Sequence, residues 1–419
     1  MPSAGNGRPR VLVLGGGFGG IGAAQKLKKS EVDVVLVDQH NYHTFQPLLY
    51  QVATGLLDQQ AVGHPIRDLL QEENTRFHQD RVTGIDLEAR TATFDELEPQ
   101  GYDYLVLGLG AEVNFFGVAG AEDYAFPLYT LSDSVRLRNH VLRVWEKADR
   151  QPKLIEDGAL NVVVVGGGPT GVETAGALAE LYNGVFRKDY PDVPPEAATI
   201  TLVEAGPEIF SMFKDDIRSY TVEALDKRGV QVRTGEVVKS VTPERVTLKS
   251  GEELAAHTLV WGAGLQGNAL VQSLGLELER GNRIGVDEQL RIPSHPEVFV
   301  VGDVAAIVDG KTKQVLPQLG SVALQSGEHV GETIARLVED KETKPFRYHD
   351  KGTMATIGRG SAVVQMLGGR TMKGKTAQLA WGTVHLALLP TNENRAKAVV
   401  DWVGAGFTHQ RAARITVDT

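Results

Sequence analysis

The chain contains no cysteine. Disulfide frameworks, thiolate metal sites and a redox-active C-x-x-C are excluded together, so any electron transfer has to run without thiols. Long apolar runs are missing as well: the nearest, LAWGTVHLALL, falls short of the roughly 20 residues that a membrane-spanning helix needs. The first ten residues, MPSAGNGRPR, lack the apolar core of a secretory signal, and the fold is expected to begin near Val11 in a cytosolic setting, with residues 1 to 8 disordered. No block of like charges stands out. A net charge of −10 argues against nonspecific nucleic-acid binding and against a broadly cationic membrane surface. His40 and His43 lie three apart with no further His at ligand spacing, so they read as ordinary loop histidines rather than a metal pair, and no metal site is expected.

What is present is a large soluble chain. Its 419 residues exceed the roughly 250 to 300 at which single cores stop growing, so two or more domains are expected. Two stretches organise it. Asn161 to Glu173 reads NVVVVGGGPTGVE, in which four β-branched valines, stiff at χ1, suit a parallel strand covered on both faces. Gly166, Gly168 and Gly171 then follow the G-x-G-x-x-G pattern, which lets backbone approach a pyrophosphate at the N-terminus of a helix starting near Pro169. The chain opens with a second such cradle, VLVLGGGFGG, carrying Gly15, Gly17 and Gly20. Asp38 ends the next strand, VDVVLVD, at the distance where an acid meets the ribose of a dinucleotide. Glu204, ending TITLVE, is its counterpart for the central cradle. Ala205, Gly206 and Pro207 follow it with no lysine or arginine to meet a 2′-phosphate, so this nucleotide reads as NADH rather than NADPH.

Other segments carry weaker signals. Residues 40 to 57, HNYHTFQPLLYQVATGLL, read either as a packed loop or as a wall in which His43, Phe45, Gln46 and Pro47 line a cofactor. The strand Tyr104 to Leu107 exits through Gly108, Gly110 and Ala111, a turn that lets the chain pass close to a ligand or simply reverses it. Ser132 to Arg150 is periodic enough for an amphipathic helix with Ser132 as its N-cap. Late in the chain, VFVVGDVAAI runs a buried strand into Gly302 and Asp303, placing a carboxylate at a strand terminus, where it serves a ligand or caps the next helix. The economical topology returns this strand to the first domain, making the second an insertion within it.

Taken together, the two fingerprints, the GLGA turn and the VFVVGD strand resemble the flavoprotein reductases with two dinucleotide-binding domains. FQPLLYQVATG, GGGPTGVE, VFVVGD and DKGTMATIGR look most like the type II NADH dehydrogenases, single-subunit NADH:quinone oxidoreductases. The resemblance spans nearly the whole chain. It implies an α/β fold of two Rossmann-like domains, the second inserted in the first, plus a C-terminal α+β region. Residues 9–117 and 292–343 would form the FAD domain, 118–291 the NADH domain, and 344–419 a region for membrane, dimer or acceptor contacts. Gly15, Gly17, Gly20 and Asp38 would hold the FAD adenosine and pyrophosphate, Asp303 its ribityl and phosphate part, with Gly110, Gln46 and Ala323 adjoining. Gly166, Gly168, Gly171 and Glu204 would bind NADH. Glu173 matches a glutamate near the nicotinamide and flavin rings, and Lys351 with Met354 matches a segment on the acceptor side.

Two features depart from the family pattern. Its quinone segment is A-Q-x-A-x-Q, whereas this chain has Gly320, Ser321, Val322, Ala323, Leu324 and Gln325, keeping the second glutamine and replacing the first by serine, with Gln318 nearby. The family's apolar C-terminal helices are here broken at Pro390 and followed by the polar TNENRAKA, leaving an apolar face of Leu379, Trp381, Leu386, Leu389, Trp402 and Phe407 for core, dimer or membrane contact. The expected function is electron transfer from NADH through flavin to menaquinone or ubiquinone, without proton pumping, by a homodimer held peripherally on the inner face of the cell membrane. The alternatives are a fully soluble reductase using a soluble quinone or oxygen, and a flavin-based redox sensor.

Overall fold

The computed structural model describes residues 7–408, 411 and 413–416, the side chains of Pro195, Phe407 and Thr408 excepted. In chain order the main elements are β1 (Arg10–Leu14), α1 (Phe18–Leu27), β2 (Asp33–Asp38), β3 (Thr75–Gln79), β4 (Tyr104–Leu107), α2 (Leu131–Arg150), β5 (Val162–Val165) and α3 (Pro169–Glu180). There follow β6 (Ile200–Glu204), α4 (Asp215–Asp226), β7 (Val230–Thr234), β8 (Thr258–Trp261), β9 (His295–Val300) and α5 (Gly320–Val338). A meander of β10 (Thr353–Gly358), β11 (Ser361–Gln365) and β12 (Thr371–Gly374) precedes α6 (Lys375–Leu388) and α7 (Asn392–Thr408).

These elements gather into two compact units, the first of Met1–Thr44, His64–Glu112 and Leu265–His349, the second of Phe45–Gly63, Val113–Gly264 and Asp350–Thr419. The divisions differ from those read off the sequence, at 117/118 and 291/292, and residues 350–419 cluster with the second unit rather than standing apart. Packing of β10 on α3 is the physical reason. Gly176 leaves α3 bare where β10 crosses it, and a Cβ there would lie 2.3 Å from the Ile357 carbonyl oxygen.

The first unit is built on a six-stranded sheet in the order 291–292, β9, β4, β1, β2, β3, parallel except for its short first strand. Its central strands are runs of Val and Leu because both faces are covered, and Val11 to Leu14 and Leu105 to Leu107 are wholly buried. Strand β9 pairs with β4 in parallel, Val298 opposite Leu105, although nearly two hundred residues separate them in sequence. Arg8 forms an ion pair with Glu31 at 2.9 Å, so order begins earlier than the sequence suggests, while residues 1–6 lie outside the described residues.

The second unit has its own parallel sheet, ordered 126–127, β8, β5, β6, β7. Helix α2 is capped by Thr130 and not Ser132. Thr130 Oγ1 accepts from the Asp133 amide at 3.1 Å while the Asp133 carboxylate accepts from the Thr130 amide at 2.8 Å, a reciprocal box closed by a side-chain acceptor three residues on. In both units, therefore, the carboxyl ends of the central strands meet glycine turns, where ligands of doubly wound sheets bind.

Candidate functional site: two dinucleotide cradles and a buried carboxyl

In the first unit β1 ends at Gly15, whose φ of +106° only glycine adopts freely. Its amide donates to Val37 O at 2.8 Å, fastening the turn to β2. Close approach of the helix also needs glycine: a Cβ on Gly20 would stand 1.8 Å from the Gly15 carbonyl oxygen. Gly17 is different. Nothing of the protein lies within 4 Å of where its Cβ would be, and as the N-cap of α1 it offers no side-chain acceptor to the helix amides. That opening, facing an uncapped helix N-terminus, fits a pyrophosphate.

Asp38 is held by the same turn. Its Oδ2 accepts from the Gly16 amide at 2.5 Å and its Oδ1 from the His40 amide at 2.7 Å. Burial raises its pKa, and those two amides together with the His40 charge oppose the rise. His43 has a structural task that the sequence does not signal: its buried Nδ1 is 2.9 Å from Gly16 O, and its ring meets Phe18 edge-on at 5.0 Å. Burial lowers its pKa, so the ring is neutral and Nδ1 is the donor.

Two further strand exits belong to this unit. Gly108 donates to Leu14 O at 2.8 Å, and Gly110 follows with φ +69°. After β9, Val301 donates to Leu107 O at 2.9 Å and Gly302 to Ser326 Oγ at 3.1 Å, which sets Asp303 at the strand end, half-buried, with its carbonyl receiving Gln318 Nε2 at 3.0 Å. On α5, Ala323 is buried, and the two polar residues beside it are engaged by the extended segment that leaves the helix. Ser321 Oγ lies 2.9 Å from the Tyr348 hydroxyl. Gln325 binds the His349 backbone twice, donating to its carbonyl at 3.1 Å and accepting from its amide at 3.0 Å. No motif announces these partners, because residues 341–350 carry no periodic signal.

The second unit repeats the first cradle almost atom for atom. Gly166 has φ +108° and donates to Val203 O at 2.8 Å, Gly262 donates to Val165 O at 2.8 Å, and a Cβ on Gly171 would sit 1.8 Å from Gly166 O. Gly168 again faces open space at an uncapped helix start. Glu204 replaces the aspartate: Oε2 accepts from Gly167 N at 2.5 Å and Oε1 from Gly206 N at 2.6 Å. In both cradles the second carboxylate oxygen accepts from the amide two residues beyond the acid, His40 in the first and Gly206 in the second.

Glu173, in the second turn of α3, is buried, and its Oε1 accepts from the Thr356 amide of β10 at 3.1 Å. Burial pushes its pKa up to about 8, against the Thr356 amide and the Trp381 indole, which favour the charged form. The indole Nε1 closes no ordinary hydrogen bond of its own. Tyr50, on the Leu49–Ala53 helix, is also buried, its pKa raised by desolvation and by the nearby Glu173 charge, and its hydroxyl accepts from Gln51 Nε2 at 2.7 Å. Gln46 is half-buried at the head of the one-turn helix Gln46–Leu48. Lys351 is exposed, and Met354 pairs with Val364. Lys351 precedes β10 at a turn, where Gly352 has φ +86° and its amide donates to Asp350 Oδ1 at 2.8 Å.

Residues 9–327 match the pyridine nucleotide-disulphide oxidoreductase family. The match covers both cradles, in a chain that has no cysteine for a disulfide. Over 99% of this chain and 91% of the relative, it is 34% identical to a type II NADH:quinone oxidoreductase of Mycobacterium tuberculosis. It is 32% identical to an internal alternative NAD(P)H-ubiquinone oxidoreductase of Arabidopsis thaliana, covering 94% and 84% of the two chains. In fold it is similar to NDH2 of Plasmodium falciparum, solved with NADH, with a TM-score of 0.90 at 21% identity over 98% of this chain and all of that one. The class is that of flavin-dependent pyridine-nucleotide oxidoreductases. Within it, the chain belongs to the type II NADH:quinone oxidoreductase family.

Proposed function

We propose that the protein oxidises NADH and reduces a quinone, holding FAD on the cradle of Gly15, Gly17, Gly20 and Asp38 and NADH on that of Gly166, Gly168, Gly171 and Glu204. One observation carries this reading: the chain builds the same pyrophosphate turn twice, each with a carboxylate pinned to the glycine after the strand. Bound FAD supplies the two-electron relay between donor and acceptor, chemistry that no side chain here provides. Gly110, Asp303, Ala323 and Gln46 are assigned to its surroundings.

The overall balance is NADH, one proton and a quinone giving NAD⁺ and a quinol. Hydride brings two electrons and one proton, so a second proton is needed. We assign Glu173 to hold it. Thr356 occupies Oε1, which leaves the proton on Oε2, and a pKa near 8 keeps the group neutral at pH 7 yet able to release the proton at small cost. Ser321 and Gln325 are assigned to the acceptor side with Lys351, Ser321 acting as a pair with the Tyr348 hydroxyl. The acceptor would be membrane menaquinone or ubiquinone, reached by a homodimer lying on the inner face of the cell membrane.

Anaerobic titration with NADH and with NADPH, followed by reoxidation with a series of quinones, tests this function. The expected result is full bleaching of the flavin by NADH, at least tenfold weaker use of NADPH because its 2′-phosphate meets Glu204, and rapid return of colour with quinone. A colourless protein that takes up no FAD, or reduced flavin that no quinone reoxidises, overturns it.

A further inference from the structure

Among the described residues, eight non-glycine positions have positive φ, and only Phe116 and Phe210 among them are aromatic. Phe210 is buried, whereas Phe116, at φ +51°, leaves 63% of its surface exposed. A bulky residue in the left-handed region is strained, and such strain concentrates at ligand sites. Burial does not offset it here, because the ring is mostly in water.

The turn that holds Phe116 is firmly built. Its amide donates to Asn114 Oδ1 at 2.7 Å, the Asn114 amide donates to Gly264 O at 3.1 Å, and Trp261 Nε1 donates to Asn114 O at 3.1 Å. The neighbouring Phe115 ring packs on Trp261 with centroids 5.4 Å apart. The Phe116 ring itself lies flush on Gly264: a Cβ there, at φ +71°, would be 2.4 Å from the ring's Cζ. Two residues earlier, Gly262 abuts the amide of Gly171. The exposed ring therefore stands on the segment leaving the carboxyl end of β8, two residues past the glycine that abuts the second cradle.

Strand order says which half of a dinucleotide this end receives. The sheet runs β8, β5, β6. Glu204 ends β6 and marks the adenosine ribose, and the turn after β5 with the start of α3 marks the pyrophosphate. Continuing across the sheet, the nicotinamide half falls on the β8 side. We infer that Phe116 is an aromatic wall for the nicotinamide ring of the dinucleotide, fixed in its strained turn by Asn114 and Gly264. The inference rests on the assignment of NADH to the second cradle.

The test compares two ligands that differ only in the nicotinamide ring. With FAD-loaded protein, calorimetry gives Kd for NAD⁺ and for ADP-ribose in the wild type, Phe116→Asn and Phe116→Tyr. Asparagine tolerates the left-handed conformation and so keeps the turn while removing the ring. The expected result for Phe116→Asn is a melting temperature no lower than that of the wild type, an unchanged FAD content, an unchanged Kd for ADP-ribose, and a roughly 2- to 12-fold weaker Kd for NAD⁺, the range of one aromatic stacking contact. Phe116→Tyr should bind both ligands as the wild type does. Unchanged NAD⁺ binding in Phe116→Asn, or equal weakening of NAD⁺ and ADP-ribose, overturns the inference. If the wild type binds neither ligand, the cradle assignment itself is wrong and the inference fails with it.

Discussion

Glu173 is the residue on which structure and chemistry bear most directly. A carboxyl buried this deeply, with only one amide donor and an indole to favour its charge, is held neutral by desolvation. Its folded-state pKa of about 8 lies above the 4.5 of an unfolded glutamate. Stability linked to this group is thus full below pH 4.5 and declines as pH climbs through 8, because ionisation is easy in the unfolded chain and costly in the folded one. Glu173→Gln keeps an acceptor for Thr356 and has no charge to bury. It should melt above the wild type, by a margin that grows by about 2 to 3 kcal/mol between pH 6 and pH 8.5. The same variant should retain FAD and lose turnover with quinone. A melting difference that does not change with pH would show that the carboxyl is already ionised in the folded protein. Sequence alone places Glu173 on the helix of the second cradle, but its neutrality depends on β10 and α6, which arrive from far along the chain.

At the level of elements, the two strand–turn–helix units separate the demands of folding from those of ligand binding. Gly171 is required by the fold, since any side chain would strike the Gly166 carbonyl, whereas Gly168 faces open space. Gly171→Ala should therefore cost about 1 to 3 kcal/mol, as overpacking does, and lower the melting temperature by several degrees. Gly168→Ala should melt within a degree or two of the wild type and hold its FAD, while the KM for NADH rises at least tenfold because the methyl group stands where pyrophosphate must approach. Equal melting losses in both variants would refute this division. Local signals made these cradles legible, since consecutive valines, fixed glycine spacing and an acid at the next strand end all lie within about 40 residues. Ser132 and Thr130 are both competent caps for α2 by residue type, and only the bond with Asp133 selects Thr130. Only the family resemblance points to Ser321 and Gln325 as acceptor residues, and their bonds to Tyr348 and His349 have no signal in the sequence, because an extended strap leaves no periodic trace.

Across the whole molecule, chain segments alternate between the two units, and what the sequence left least visible is how the last seventy residues use their apolar side chains. Trp381 and Leu389 turn inward, Trp402 donates its indole N–H to Gln51 at 2.7 Å, and the Phe407 side chain lies outside the described residues. Other residues face water: Leu379, Val384 and Leu388 on α6, and Val399, Val400 and Val403 on α7. Among the described residues, no helix is long and apolar enough to cross a membrane. Exposed apolar side chains on two neighbouring helices suit an interfacial position, in which binding grows with buried apolar area. The chain's net charge of −10 opposes attraction to anionic lipid, so the apolar term has to dominate. The protein should then sediment with neutral phosphatidylcholine vesicles at least as well as with anionic ones, and raising the salt concentration should not release it. Leu379→Asp combined with Val400→Asp should return it to the supernatant while leaving oxidation of NADH by a short-chain, water-soluble quinone unchanged, since neither position lies in a cradle. Wild-type protein that stays entirely in the supernatant with both kinds of vesicle would rule out the peripheral position and leave these residues to a protein–protein contact.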